Sequence, residues 1–204
     1  KAEFFCANMT VEMDNTDKLK VLFEDAQKMG ITFELPDINR SNYRFEPVSD
    51  TVIRYGLGAI KGTGEKAINA IITARTEGGA FTSLFDFCNR VERNCLNKRT
   101  VEALIKAGAF DSLELNRAAL LASIELAFEY ASTQAANANQ GGLFDMLDDG
   151  HGSSTQEPEL VQTTPWSLKE RLVQEKTAVG FFLSGHLFDE HAKEIRAFIR
   201  TPLA

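Results

Sequence analysis

The sequence predicts a mainly α-helical fold with a few short strands. Apolar residues recur at helical spacing in several segments, small polar residues stand before those segments as N-caps, and glycine or proline follows them. Alternation of apolar and polar residues predicts short strands within 31–35, 43–45 and 51–55. The predicted helices begin near residues 4, 16, 65, 82, 97, 116, 167 and 189, and the helix from 116 is expected to end near 132.

Composition and cysteine usage narrow the class of protein. The 204 residues have room for one or two small domains, and a content of 44% hydrophobic and 25% charged residues is ordinary for a soluble globular chain. The sequence shows no signal peptide and no apolar run of membrane-span length, so a cytoplasmic protein with no membrane partner is expected. Cys6, Cys88 and Cys95 lack disulfide or zinc-site spacing, so neither a metal nor a cofactor is expected here. Because the chain opens on Lys1, we expect it to be a piece of a longer protein.

The most informative stretch is a glycine loop at the mouth of a predicted helix. Gly62-Thr63-Gly64 follows a short apolar segment and precedes a helix-forming apolar run. Glycine lets a ligand approach the backbone, and the unpaired N–H groups of a helix start favour an anion. Lys61 and Lys66 flank the loop, and Thr63 offers a hydroxyl. The pattern predicts a helix-hairpin-helix in which these five residues hold a nucleic-acid phosphate without reading bases; a plain structural turn is the alternative.

The distribution of charge favours the nucleic-acid interpretation, although the formal net charge is −7. Between residues 54 and 75 basic groups outnumber acidic ones, whereas the stretch from 136 to 167 holds acidic residues and no lysine or arginine. A helix, a tight link and a second helix follow between 82 and 108 and form a candidate second hairpin. Its basic residues could meet phosphate, or the hairpin could serve packing alone; they are Arg90, Arg93, Lys98 and Arg99.

A polar tract from 134 to 164 is expected to be flexible, because it is rich in Asn, Gln, Ser, Thr, Gly and Asp and can bury little surface. One apolar island interrupts it between Gln140 and Leu147. Exposed Leu143 and Phe144 in such a tract predict a short peptide that docks into a groove on a partner. The alternative is that the island folds back onto its own domain.

Several motifs follow one another along the chain: Leu35-Pro36-Asp37-Ile38-Asn39-x-Ser41, Tyr55-Gly56-Leu57-Gly58-Ala59-Ile60-Lys61-Gly62-x-Gly64, Leu96-Asn97-Lys98-Arg99 with Ala107-Gly108-Ala109-Phe110-Asp111, and Gly180-Phe181-Phe182-Leu183-Ser184-Gly185-His186. In sequence and in order they resemble the alpha-subunit family of bacterial DNA polymerase III, the C-family replicative polymerases. The resemblance covers nearly the whole chain. It implies that the parent protein is a DNA-directed DNA polymerase, a nucleotidyltransferase of DNA replication.

The resemblance also implies a division of labour along the chain. The expected partners are duplex DNA, the sliding clamp and, through the parent protein, other subunits of the replicase. Gln140, Leu143 and Phe144 match the internal clamp-binding motif of the family. The expected segments are the distal fingers at 1–55, a tandem helix-hairpin-helix at 56–115, a connecting helix at 116–132, a flexible acidic linker at 133–164 and a helical connection toward an OB-fold at 165–204.

Catalysis is expected to lie elsewhere in the parent protein. The aspartates of the family, which hold two Mg²⁺ ions for phosphoryl transfer, belong to a palm domain expected before Lys1, and no carboxylate here matches them. The chain alone is therefore expected to have no catalytic residue and no activity. The alternatives are a DNA-repair or recombination scaffold with the same hairpins and no polymerase, a module whose hairpins bind protein helices, and an error-prone paralogue, against which the clamp-like motif argues.

Overall fold

A computed structural model of the chain describes residues 1–144 and 156–187, and within them the fold is mainly helical, as the sequence predicts. The helices are α1 Ala2–Val11, α2 Thr16–Lys28, α3 Glu65–Gly78, α4 Leu84–Arg90, α5 Lys98–Lys106, α6 Arg117–Ala122, α7 Ile124–Phe144 and α8 Leu168–Val179. The strands are β1 Thr32–Glu34, β2 Glu46–Ser49 and β3 Val52–Arg54, and a 3₁₀ turn covers Leu57–Ala59. No helix of the described ranges is long and apolar enough to cross a membrane.

Polar side chains begin the helices, mostly where the sequence predicts them. Ser167 accepts from the backbone N–H of Glu170, whose carboxylate accepts from the N–H of Ser167, so a capping box begins α8 where the sequence predicts a helix start. The start of α4 differs by one residue: Ser83 is the N-cap, and Thr82 precedes it. Asn15, Asn97 and Asn116 cap the helices that are predicted to begin near residues 16, 97 and 116.

The small sheet has β3 at its centre, parallel to β1 and antiparallel to β2. The strand predicted at 43–45 is wrong, and β2 begins one residue later. The carbonyl of Tyr43 instead accepts a hydrogen bond from the backbone N–H of Gly58 at 2.9 Å, which holds the 3₁₀ turn against this segment. A Cβ on Gly58 would lie 2.5 Å from the Tyr43 ring, so the close approach requires glycine at this position.

One hydrophobic core runs through the described residues from α1 to Leu183. The Phe23 ring of α2 lies 5.0 Å from that of Phe181, so the segment after α8 packs onto the beginning of the chain. Within the hairpin region, the Phe87 and Phe110 rings meet edge to face at 4.9 Å. The first 55 residues and the hairpins therefore share one core.

The connection after the hairpins differs from its prediction. The single helix expected at 116–132 is two helices, α6 and α7, and α7 continues to Phe144. Alanine recurs at 135, 136 and 138, which favours this extension because alanine has the highest helix propensity. Residues 145–155 and the helix predicted from Asp189 lie outside the described part.

From residue 156 to the start of α8 the chain has neither helix nor strand, and it contacts the ends of α6. The backbone N–H of Val161 donates to the hydroxyl of Ser123 at 2.8 Å. The side-chain amide of Asn116 donates to the carbonyl of Thr163 at 3.0 Å, and Leu160 packs against the core. The last part of the predicted flexible tract is thus held by hydrogen bonds to the two residues that cap α6.

A buried arginine connects α5, α6 and α8. The Arg117 side chain is 2% exposed, and its guanidinium donates to both carboxylate oxygens of Asp111, at 2.7 and 2.5 Å. It also donates to the carbonyl of Lys106 at 3.1 Å and lies 3.8 Å from the carboxylate of Glu175. This bidentate arrangement compensates the desolvation of the guanidinium.

Glu175, on α8, is the fully buried partner of this arginine. One of its carboxylate oxygens accepts from the backbone N–H groups of Leu183 and Ser184, at 2.6 and 2.8 Å. Burial, and then the negative charge of Glu175, raise the pKa of the Tyr55 hydroxyl. The Glu175 carboxylate therefore fixes the turn that follows α8. It lies near the hydroxyl of Tyr55, the residue that follows β3.

We expect Arg117→Met to lower the free energy of unfolding by about 3–5 kcal/mol, because it leaves the carboxylates of Asp111 and Glu175 without their cation. Urea denaturation followed by circular dichroism measures the change. Lys28→Met is the control, since the ion pair of Lys28 with Asp25 is exposed and contributes about 1 kcal/mol or less. A loss no larger than that of the control would contradict the assignment.

Candidate nucleic-acid interface

The first hairpin loop presents its backbone to open space. Gly62 has a φ of +82°, in the left-handed region that favours glycine. Gly64 is the N-cap of α3 and has no side chain that could cap the first N–H groups of the helix. A Cβ added at either glycine would have no heavy atom within 4 Å. An anion can therefore approach the start of α3 without meeting a side chain from the loop.

Thr63 shapes this loop, and its hydroxyl hydrogen does not face a ligand. The hydroxyl is placed to donate to the carbonyls of Leu57 at 2.9 Å and Ile60 at 2.6 Å, both in or next to the 3₁₀ turn. The backbone N–H of Thr63 also donates to the carbonyl of Ile60. These bonds use the donors of Thr63 to close the turn, and a contact of Thr63 with phosphate stays a prediction.

The two lysines beside the loop are exposed and lie toward different neighbours. Lys66 borders a groove of about 450 Å³ that it shares with Glu92 and Cys95. The Cys95 thiol donates to the Glu92 carboxylate at 3.3 Å, and burial followed by this carboxylate raises the pKa of the thiol, whereas Lys66 lowers it. Lys61 lies on the side of α8, and its backbone N–H donates to the carbonyl of Ala178 at 2.8 Å.

The second hairpin is adjacent to the first loop. The buried hydroxyl of Thr100, in the first turn of α5, donates to the carbonyl of Gly62 at 3.4 Å. Arg99 precedes it and is exposed, with no hydrogen bond or ion pair to any residue of the described ranges. Lys98 forms an ion pair with Glu125 of α7. The structure thus places the capped start of α5, with the free guanidinium of Arg99, next to the glycine loop.

Arg90, one of the four basic candidates of the second hairpin, has a structural role. Its guanidinium donates to the carbonyls of Ala74 at 2.8 Å and Gly79 at 2.7 Å, and so caps the C-terminal end of α3. It also pairs with Asp86 at 2.9 Å and lies 4.7 Å from the centre of the Phe81 ring. These contacts use the side chain inside the fold, so it is not placed to meet a phosphate.

The segment from Leu35 to Ser41 is hydrogen-bonded to the first hairpin and to the chain that follows it. The Asn39 amide donates to the carbonyl of Phe81 at 2.9 Å and accepts from its N–H at 2.7 Å, which fixes the chain between α3 and α4. Arg75 of α3 donates to the carbonyls of Ile38 and Ser41, at 2.8 and 2.9 Å. The same segment that carries the family resemblance therefore sets the position of α3.

The predicted clamp-binding residues fall near the end of α7. The backbone of Gln140, Leu143 and Phe144 belongs to the C-terminal turns of that helix, and their side chains lie outside the described part. Residues 136–138, just before them, are exposed. Among the α7 side chains that the structure describes, which end at residue 138, Ala131 is the last one in the core, and the backbone of the motif follows it along the helix.

Comparison with known proteins identifies the segment. A family model described as "Helix-hairpin-helix motif" matches residues 30–120, which include both hairpins. DNA polymerase III subunit alpha of Neisseria meningitidis serogroup B is 54% identical over 202 residues, or 99% of this chain. Nearly the whole chain matches one segment of the DNA polymerase III alpha-subunit family. The resemblance inferred from the sequence motifs is confirmed.

Other relatives of the family have the same extent of similarity. The subunits named DNA polymerase III subunit alpha from Pseudomonas aeruginosa and Escherichia coli K12 are 42% and 41% identical and cover 98% and 97% of this chain. The chain spans only 17–18% of the length of these relatives. The similarity therefore concerns one segment of a much larger type of protein.

Proposed function

We propose that this chain is the segment of a replicative DNA polymerase that holds duplex DNA and tethers the polymerase to its sliding clamp. The observation that carries the DNA-binding part is the glycine loop at the start of α3, with open space at both glycines and exposed cations beside it. The match to the helix-hairpin-helix family over residues 30–120 supports it. The names of the relatives support the polymerase.

In this proposal the loop binds one phosphate through the N–H groups of the first turn of α3. Lys61 and Lys66 supply positive charge on either side, and Thr63 keeps the loop in shape through its bonds to Leu57 and Ile60. Arg99 adds a cation from α5, which lies beside the loop. Backbone donors and flexible cations carry no base information, so the segment holds duplexes of any sequence.

The parent protein is proposed to be a DNA-directed DNA polymerase of the bacterial cytoplasm. Its chemistry would be phosphoryl transfer assisted by Mg²⁺ ions held on aspartates outside this chain. The hairpins would hold the duplex product close to the active site. Further subunits of the replicase would reach this segment through the parent protein.

We expect the chain to bind duplex DNA with a log–log salt slope of roughly −2 to −3, because two or three phosphates are neutralised. Lys66→Gln should make the slope less negative by about 0.9, and Lys28→Gln, on the exposed end of α2, should leave it unchanged. Fluorescence anisotropy with two duplexes of unrelated sequence measures both. A flat salt response, or strong preference for one duplex, would contradict the proposal.

The glycine loop has its own test in Gly64→Val. Gly64 has a φ of −84° and a ψ of 150°, which any residue adopts, and its Cβ would meet nothing within 4 Å, so the variant should fold. Its side chain would stand where the phosphate approaches, and we expect about tenfold weaker binding from the loss of one charge-assisted hydrogen bond. Wild-type affinity in the folded variant would show that the loop does not contact DNA.

For clamp binding, we expect the double substitution Leu143→Ala, Phe144→Ala to weaken the affinity of the chain for the sliding clamp by roughly 30-fold or more. Apolar anchors of this kind cost about 2 kcal/mol when truncated, and about 1.4 kcal/mol is a factor of ten. Gln140→Ala should cause a smaller loss, since it removes a hydrogen bond at the rim. Surface plasmon resonance measures the constants, with Asn137→Ala as the control on the same helix. Equal affinity of wild type and the double variant would make the clamp assignment wrong.

We expect the chain by itself to extend no primer, because none of its carboxylates matches the catalytic aspartates of the family. The assay is primer extension with purified chain, Mg²⁺ and the four deoxynucleotides. The Lys66→Gln variant is run in parallel to separate binding from chemistry. Incorporation that follows the chain through successive purification steps would overturn this expectation.

A further inference from the structure

The C-terminal end of α8 lies directly against the glycine loop. The carbonyl of Ala178 accepts the backbone hydrogen bond of Lys61 at 2.8 Å. The helix then ends at Gly180, which is its C-cap with a φ of +101°. Residues more than one hundred positions apart in sequence thus meet where the loop begins.

Gly180 provides the surface on which the Lys61 side chain rests. A Cβ added to Gly180 would lie 2.9 Å from the Lys61 ammonium nitrogen, and 2.1 Å from a methyl carbon of Thr16 at the start of α2. The ammonium therefore lies over a bare α-carbon, beside the negative end of the α8 dipole. Lys61 is exposed, and within the described ranges its side chain has no hydrogen bond or ion pair.

The end of α8 is itself firmly held. Glu175 accepts hydrogen bonds from the two backbone N–H groups of Leu183 and Ser184 and lies against the buried guanidinium of Arg117. The turn around Gly180 is enclosed between these contacts and the packing of Phe181 on Phe23. Lys61 therefore rests on a rigid element and not on a loop of its own.

We propose that Ala178 and Gly180 are positioning residues for DNA binding, which hold Lys61 at the mouth of the glycine loop. This inference rests on the proposed function of the loop. A long lysine side chain loses rotamer entropy when it binds a phosphate. A contact with Gly180 that already restricts the side chain before binding reduces that loss. The absence of a side chain at position 180 is what leaves room for the ammonium.

The test is Gly180→Ala in the complete 204-residue chain, titrated with duplex DNA over a range of salt concentrations. The new methyl group displaces the Lys61 ammonium, so the salt slope should become less negative by about 0.9, the value of one phosphate contact. Gly30→Ala is the matched control. Gly30 also has a positive φ, +81°, but its Cβ would meet nothing within 4 Å, so it carries the backbone strain without moving a lysine.

Two further variants keep the test interpretable. The substitution Gly180→Ala is also made together with Thr16→Ala, which removes the methyl group nearest to the new Cβ and leaves Lys61 as the main group displaced. Thr16→Ala alone is its reference, and thermal unfolding verifies that both are folded. In a Lys61→Gln background, Gly180→Ala should change neither slope nor affinity, because the two positions act through one contact.

The outcomes separate the inference from the function on which it rests. If the wild-type chain shows no salt-dependent binding, the proposed function fails and takes the inference with it. Suppose that wild type binds and that Lys61→Gln makes the salt slope less negative. If the folded double variant, Thr16→Ala with Gly180→Ala, then has the same slope as Thr16→Ala alone, only the positioning role is wrong. A uniform loss of affinity at unchanged slope also overturns it, since that is the signature of a purely structural glycine.

Discussion

The ion pair between Arg117 and Glu175 is the interaction on which the arrangement of this segment depends. Both groups are buried, and Arg117 also binds Asp111, so one guanidinium offsets the charges of two carboxylates. Arg117 belongs to the hairpin side through Asp111 and the carbonyl of Lys106, and Glu175 belongs to α8 and the turn after it. The pair therefore joins two parts of the chain that a long polar tract separates in sequence. Its consequence is that α8 occupies a defined place beside the glycine loop.

Most polar side chains near the loop stabilise the fold, and few remain for a ligand. Of the basic residues counted between 54 and 75, Arg54 pairs with Glu34 at 2.8 Å, and Arg75 is bound to backbone carbonyls, its pKa lowered by burial. Lys61 and Lys66 remain exposed. A count of charges along the sequence thus overstates the positive surface, because it cannot distinguish a cation that binds its own chain from one that faces solvent. Arg99 of α5 adds to that surface through tertiary proximity.

The fold also constrains how the proposed DNA and clamp functions can act together. The loop is fixed on a single core that includes α1, the sheet and α8. The backbone of the proposed clamp motif, in contrast, lies at the end of α7, after Ala131, which is the last core residue among the described side chains of that helix. A rigid phosphate-binding surface and a short binding peptide make different demands on the protein. Placing them on separate elements allows each to bind without distorting the other.

Local chemistry determined what the sequence alone could predict. Helix caps, helical periodicity and the glycines of the loop all act within a few residues, so the sequence predicted the helix starts, the fold class and the first hairpin. The caps are Asn15, Asn97, Asn116 and Ser167. The ordered motifs also identified the family. The strand predicted at 43–45 was wrong, because the carbonyl of Tyr43 accepts a hydrogen bond from Gly58 in the 3₁₀ turn, which comes later in the chain.

Only the tertiary structure decided which side chains the fold uses for itself. Thr63 and Arg90 are residue types that often bind phosphate, but their side chains donate hydrogen bonds to backbone carbonyls of the same chain. Conversely, Ala178 and Gly180 carry no chemical signal, yet they border Lys61. The physical reason is that hydrogen bonding and close packing depend on which distant segments meet. That pairing is set by the burial of the common core and its few internal charges, not by any local pattern of residues.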